Sequence, residues 1–145
     1  MAEVSEMAKR VTSLPEIRLS RISTTLLAFT VVLEGATGLA LIVDPRTVVR
    51  LLMGAELSGA GIAMSRVAGV ALFAFGLACR PGRDGDGGSP RKLRAMLAYN
   101  FMAALGLLCL GINGALVGIL LWPAAAAHAV LTLLLARMSF KALQS

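Results

Sequence analysis

Four side chains could do chemistry in this otherwise apolar chain: Glu34, Arg66, His128 and Asn100. Each of them stands inside a long hydrophobic run. A carboxyl group and an imidazole can exchange a proton, and a guanidinium can neutralise a carboxylate. Ionisable groups inside a membrane are costly and are normally paired, so these residues are the first candidates for a functional site.

The depth of each residue in its run predicts which of them meet. Glu34 stands ten residues before Asp44, at the end of the first run, which is about 15 Å along a helix. Arg66 stands eight residues after Ser58, at the start of the second run, which is about 12 Å. Because the two runs share a short connection and must be antiparallel, we predict a Glu34–Arg66 ion pair at matching height.

Two further polar residues are predicted to complete this cluster. His128 stands nine residues before Arg137, about 14 Å from the opposite surface, and Asn100 lies nearer that surface. Tyr99 adjoins Asn100 and is expected to point elsewhere. Two interpretations remain open: the cluster fixes helix packing by hydrogen bonds, or Glu34 takes up and releases a proton that His128 can share.

Four apolar runs of membrane-spanning length must position these residues. The chain has 57% hydrophobic and 15% charged residues, whereas a soluble domain carries about a quarter charged residues. Only helices and closed barrels satisfy the backbone in lipid, and these runs lack the alternation of barrel strands. The predicted fold is therefore all-α, a polytopic four-transmembrane-helix bundle forming one domain over residues 22–138. The predicted spans are about 22–43, 58–79, 93–112 and 116–136.

The connections between the spans carry their own local signals. Asp44 followed by Pro45 predicts a helix start, and Gly54 predicts its end. The amphipathic segment between them predicts a short interfacial helix between spans one and two. Span four either begins early and kinks at Pro123, or its regular helix begins near Pro123.

The positive charge indicates an orientation. The chain has a net charge of +6 and fourteen basic residues, and most of these fall on one predicted side of the membrane. By the positive-inside rule that side is the cytoplasm of a bacterial plasma membrane, and it holds segment 1–21, loop 80–92 and tail 139–145. Pro15 is expected to interrupt any helix in segment 1–21. The basic residues on this side predict contact with anionic lipid headgroups, not with nucleic acid. The basic residues on this side are Lys9, Arg10, Arg18, Arg21, Arg80, Arg83, Arg91, Lys92, Arg94, Arg137 and Lys141.

Small residues recur every four positions in the second run, at Gly61, Ser65 and Gly69. Such a stripe lets helix backbones approach closely, so we predict helix packing within the bundle. A contact in a homo-oligomer or a larger membrane complex is the less favoured alternative.

Several chemistries are disfavoured by the residues present. No group of His, Cys, Asp and Glu has the spacing of a metal site, and a single histidine cannot supply two axial haem ligands within one chain. No nucleophile has a recognisable base and orienting partner. We therefore predict no enzyme, no metal and no cofactor.

The order of these features resembles a known family. The chain has a basic N-terminus, a first span ending at Pro45, an interfacial segment, the sequence RVAG at 66–69 and WP at 122–123. Over residues 20–138 it resembles the small bacterial four-helix membrane proteins typified by the DoxX-like family. That resemblance implies a four-helix membrane protein, and some DoxX-like proteins are linked to quinone-dependent sulfur oxidation.

The expected function is that of an accessory or structural membrane component held together by a buried Glu–Arg cluster. One alternative is a proton-coupled transporter of a small solute that uses Glu34. A further alternative, implied by the resemblance, is a quinone-linked DoxX-like redox subunit.

Overall fold

The computed structural model describes residues 2–82 and 89–141, with the backbone alone for residues 2–20. This part of the chain is helical and contains no strand. Four helices include segments long and apolar enough to cross a membrane. The predicted all-α fold with four spans and a short intervening helix is confirmed. The helices are α1 (Ala2–Val43), α2 (Pro45–Met53), α3 (Gly59–Ala78), α4 (Pro90–Asn113) and α5 (Leu121–Lys141).

Three prolines show how the helix boundaries differ from expectation. The predicted interruption at Pro15 is wrong, because α1 runs unbroken from residue 2 to residue 43; the fixed φ of proline is itself helical. Pro90 opens α4 three residues earlier than predicted. Pro123 lies in the first turn of α5, where a backbone N–H has no intrahelical acceptor. Parts of the predicted loop (83–88) and tail (142–145) lie outside the described residues.

The predicted interfacial helix, α2, begins and ends at the expected residues. Asp44 Oδ1 accepts a hydrogen bond from Thr47 N–H at 3.2 Å, and Pro45 is the first helical residue. Gly54 ends the helix with φ +68°, and its N–H donates to Arg50 O at 2.8 Å. The hydrogen bonds from Thr47, first from its side chain and then from its backbone, hold the pKa of Asp44 below its ordinary value.

The spans are arranged as two helix pairs, α1 with α3 and α4 with α5. The first pair crosses at two glycines. A Cβ atom added to Gly38 would lie 2.7 Å from Phe73 N, and one added to Gly69 would lie 2.7 Å from Gly38 O. The two backbones therefore touch because neither position carries a side chain.

The two helix pairs pack tightly against each other only near the ends of the bundle. No Cα atom of α3 comes within 8 Å of one in α4 or α5. At the end near the chain termini, a buried apolar cluster joins them, and the rings of Phe75 and Tyr99 lie 5.3 Å apart. The buried members of that cluster are Leu27, Cys79, Leu93, Met96 and Leu135.

At the other end, backbone hydrogen bonds tie α2 to the connection between α4 and α5. Gly118 N–H donates to Leu52 O at 3.0 Å, and Leu120 N–H donates to Leu51 O at 2.8 Å. The last carbonyls of α2, which a helix end leaves without partners, are satisfied in this way. The two helix pairs are therefore joined at both ends of the bundle.

Candidate functional site

A cavity of about 680 Å³ lies between the two helix pairs. α2 covers it from one end through Val48, Leu51 and Leu52. Its walls come from all four spans and are predominantly apolar. The wall residues are Leu33, Thr37, Ala40, Leu41, Leu72, Tyr99, Ala103, Gly106, Leu107, Leu110, Leu120, Pro123, Ala124, Ala127 and His128.

The polar side chains of this lining are Thr37, Tyr99 and His128. The Thr37 hydroxyl donates to Leu33 O at 2.9 Å within its own helix. Tyr99 and His128, on α4 and α5, pack edge to face with their ring centroids 6.0 Å apart. The two rings therefore form the polar end of an otherwise apolar cavity.

Behind these two rings lies Glu34, which is only 1% exposed. Its Oε1 atom lies 3.8 Å from His128 Nδ1, and the Tyr99 hydroxyl lies beside the same carboxyl group. Among the described residues, Oε1 has no hydrogen-bond partner. A fully buried carboxyl oxygen without a donor is rare, because a lost partner leaves its desolvation uncompensated.

The hydroxyls of Thr30 and Thr132 do not satisfy this oxygen, because they donate to carbonyls of their own helices. Thr30 is fully buried one turn before Glu34, and its hydroxyl donates to Leu26 O at 2.8 Å. Thr132 donates to His128 O at 2.7 Å. Such bonds to the carbonyl four residues earlier are usual for threonine in helices.

Asn100 determines the tautomer of His128. The Asn100 side chain is fully buried, and its Nδ2 atom donates to Met96 O at 2.9 Å, which leaves its Oδ1 atom facing His128. His128 Nδ1 lies 2.9 Å from that oxygen. Since an amide oxygen can only accept, Nδ1 carries a hydrogen and Nε2 is the acceptor of the neutral ring. His128 retains 15% of its side-chain exposure, so the imidazole is accessible at the cavity wall.

Arg66 does not take part in this cluster, and the predicted Glu34–Arg66 ion pair is wrong. Arg66 is exposed on α3, and the group paired with Glu34 is His128. Leu72 of α3 lines the cavity, and Arg66, six residues earlier, is turned about 120° away from it around the helix axis. The predicted matching depth is also wrong. Gly76 of α3 lies against Gly35, next to Glu34. Arg66 stands ten residues before Gly76, so it lies about 15 Å from Glu34 along the helix axis, and both the register and the rotation of α3 against α1 separate the two groups.

The three small residues of the second span have different neighbours. Gly69 is buried at the crossing with α1. A Cβ atom added to Gly61 would instead lie 2.8 Å from the Leu57 side chain, in the preceding connection. Ser65 is half-buried. The partner of Gly69 is Gly38, which the sequence pattern did not single out.

Tyr99 is the site residue that sequence reasoning placed wrongly, since it lines the cavity beside Glu34. A signal for it was present. Residues 99, 103, 106, 107 and 110 share one face of α4 at helical spacing, and the structure puts all five in the cavity wall. Asn100, by contrast, is buried toward α5 through His128, as the cluster prediction required.

The site combines an acid, an imidazole and a phenol at the end of an apolar cavity. These groups can exchange protons and hydrogen-bond a ligand's polar end. Within the described residues, no group of three or more His, Cys, Asp or Glu side chains could hold a metal ion. Comparison of the chain with family models, curated proteins and solved structures finds no significant match.

Proposed function

We propose that this integral membrane protein binds a small lipophilic molecule between its two helix pairs. The observation that carries the proposal is the cavity of about 680 Å³, whose walls are apolar except for Thr37 and the place where Tyr99 and His128 meet. Ligand sites typically have this composition, a mostly hydrophobic surface with a few convergent polar groups that orient the ligand. The buried Glu34 behind the two rings supplies the charge or proton of the polar end.

Gly106 provides a direct test of this proposal. It lines the cavity, and a Cβ atom added there would have no atom within 4 Å. Gly106→Leu should therefore fill the cavity without disturbing the helix. The matched control is Gly59→Leu, at the start of α3, where an added Cβ also meets nothing within 4 Å.

The measurement is ligand-induced stabilisation against thermal unfolding in detergent, with tert-butylbenzene as an uncharged probe. A probe at 100 times its dissociation constant stabilises a protein by about 2.7 kcal/mol. We expect this stabilisation in the native chain and in Gly59→Leu, and its loss in Gly106→Leu. Equal stabilisation of all three proteins would refute binding in the cavity.

A structural accessory role is the second candidate, supported by the hydrogen bond between Asn100 and His128 and the close approach of His128 to Glu34. The hydrogen bond joins α4 to α5, and the approach of His128 to Glu34 links α1 to this second helix pair in a region where the pairs otherwise meet sparsely. A proton-coupled transporter and a quinone-linked redox subunit both need an occupied cavity, so Gly106→Leu would disable either. A purely structural component would tolerate the filled cavity.

We also propose that both termini face the cytoplasm of a bacterial plasma membrane. Four spans leave both ends on one side, and eleven of the fourteen basic residues would lie there. Alkaline phosphatase fused after residue 145 should be inactive in a bacterial host, since it needs export. An active fusion would contradict the proposed orientation and place the C-terminus outside the cytoplasm.

A further inference from the structure

The charges around Glu34 point to the kind of molecule that the cavity takes. Glu34 is buried, its Oε1 atom has no donor among the described residues, and the nearest nitrogen, His128 Nδ1, lies 3.8 Å away. The hydrogen on that nitrogen is already directed to Asn100 Oδ1 at 2.9 Å. The acid therefore lies just behind the polar end of the cavity, beside the Tyr99 hydroxyl and the His128 ring, with one carboxyl oxygen that no described residue satisfies.

The helices packed against α1 bring no permanent positive charge to this acid. From α3, Arg66 is exposed and turned away; from α2, Arg46 and Arg50 are exposed. α4 contributes the phenol of Tyr99, and α5 contributes the imidazole of His128, which becomes positive only by taking up a proton. Within the part of the chain that the structure describes, no permanently charged group balances an ionised Glu34.

We propose that the cavity binds a lipophilic cation, an amine or quaternary ammonium, in exchange for the proton of Glu34. This inference rests on the proposed function and assigns its ligand class. An isolated carboxylate in an apolar interior is costly, so Glu34 carries its proton when the cavity is empty. When a cation enters, the proton leaves to solvent and the carboxylate balances the ligand charge, so the net charge of the interior is unchanged.

The cavity wall suits such a ligand in two further ways. The apolar surface from α1, α4 and α5 accommodates the hydrophobic body of the cation. The Tyr99 ring, which lines the cavity beside Glu34, offers an aromatic surface that attracts a cation. An anionic ligand would be repelled by an ionised Glu34 and would find no positive partner among the residues described there.

The test compares phenyltrimethylammonium with tert-butylbenzene, its uncharged isostere. In the native protein, affinity for the cation should rise with pH, by up to tenfold per unit, while affinity for the isostere stays constant. Binding of the cation should release up to one proton per molecule in weakly buffered detergent solution. Both measurements use the unmodified chain and do not depend on how any variant folds.

Glu34→Gln should weaken cation binding at least tenfold, abolish proton release and leave the isostere bound as before. The matched control is Glu56→Gln, an exposed acid in the connection before α3, which should behave as the native protein. Proton release that persists in Glu34→Gln and disappears in His128→Gln would assign the exchange to the imidazole and overturn the inference. If the isostere binds and the cation does not, the ligand class is wrong. If neither binds, the proposed function fails as well.

Discussion

At the crossing of α1 and α3, replacing two glycines of α1 by alanine should change the free energy of unfolding in opposite directions. A Cβ atom added to Gly38 would lie 2.7 Å from Phe73 N and 2.8 Å from Gly69 O, both backbone atoms that cannot rotate away. Overpacking of this kind typically destabilises by about 1–3 kcal/mol. Gly35, one turn earlier, has nothing within 4 Å of its added Cβ, and replacing an unconstrained helical glycine by alanine typically stabilises by about 0.5–1 kcal/mol.

Gly38→Ala and Gly35→Ala should therefore differ by about 1.5–4 kcal/mol in the free energy of unfolding. The assay is unfolding by SDS in mixed micelles, followed by far-ultraviolet circular dichroism. The two substitutions add the same methyl group to the same helix, so propensity and hydrophobicity are matched. Equal effects of the two, or a stabilising Gly38→Ala, would refute the close crossing of the first helix pair.

Three other perturbations test the elements around the cavity. Gly118→Ala would place its Cβ atom against Leu51 O and break two backbone hydrogen bonds, so we expect a loss of about 1–3 kcal/mol and faster amide exchange at residue 120. Asn100→Leu leaves the His128 N–H without its acceptor and should lower the free energy of unfolding by about 1–3 kcal/mol. In the same unfolding assay, the double variant Asn100→Leu/His128→Leu should lose less stability than the sum of the losses in the two single variants. Hydrogen bonds from Thr47 lower the pKa of Asp44. The ionised Asp44 therefore stabilises the fold fully above its ordinary pKa of 3.8. This stabilisation is lost as the pH falls from 3.8 through the lowered pKa of the folded protein. Asp44→Asn should remove that part of the pH dependence of thermal unfolding, and an unchanged pH profile would contradict the capping role.

The features that the sequence determined by itself are those that depend on local chemistry or on distance along one helix. Four apolar runs of about 20 residues required four spans, and Asp44, Pro45 and Gly54 specified both ends of α2 through their own backbone preferences. The rise per residue also gave the depths of Glu34 and His128 in the membrane. Both depths lie near the middle of the bundle, where the two side chains meet.

Which face of each helix looks inward was decided only by the tertiary structure. In water, a polar face marks the outside of a helix, but lipid is as apolar as the bundle interior, so that signal is absent here. Contacts such as Gly38 on Gly69 set both the rotation of each helix and its offset along the axis. They turn Arg66 outward near the end of α1 and leave Glu34 to His128 and Tyr99. The cavity between the helix pairs depends on the same contacts, because it exists only where α3 stays apart from α4 and α5.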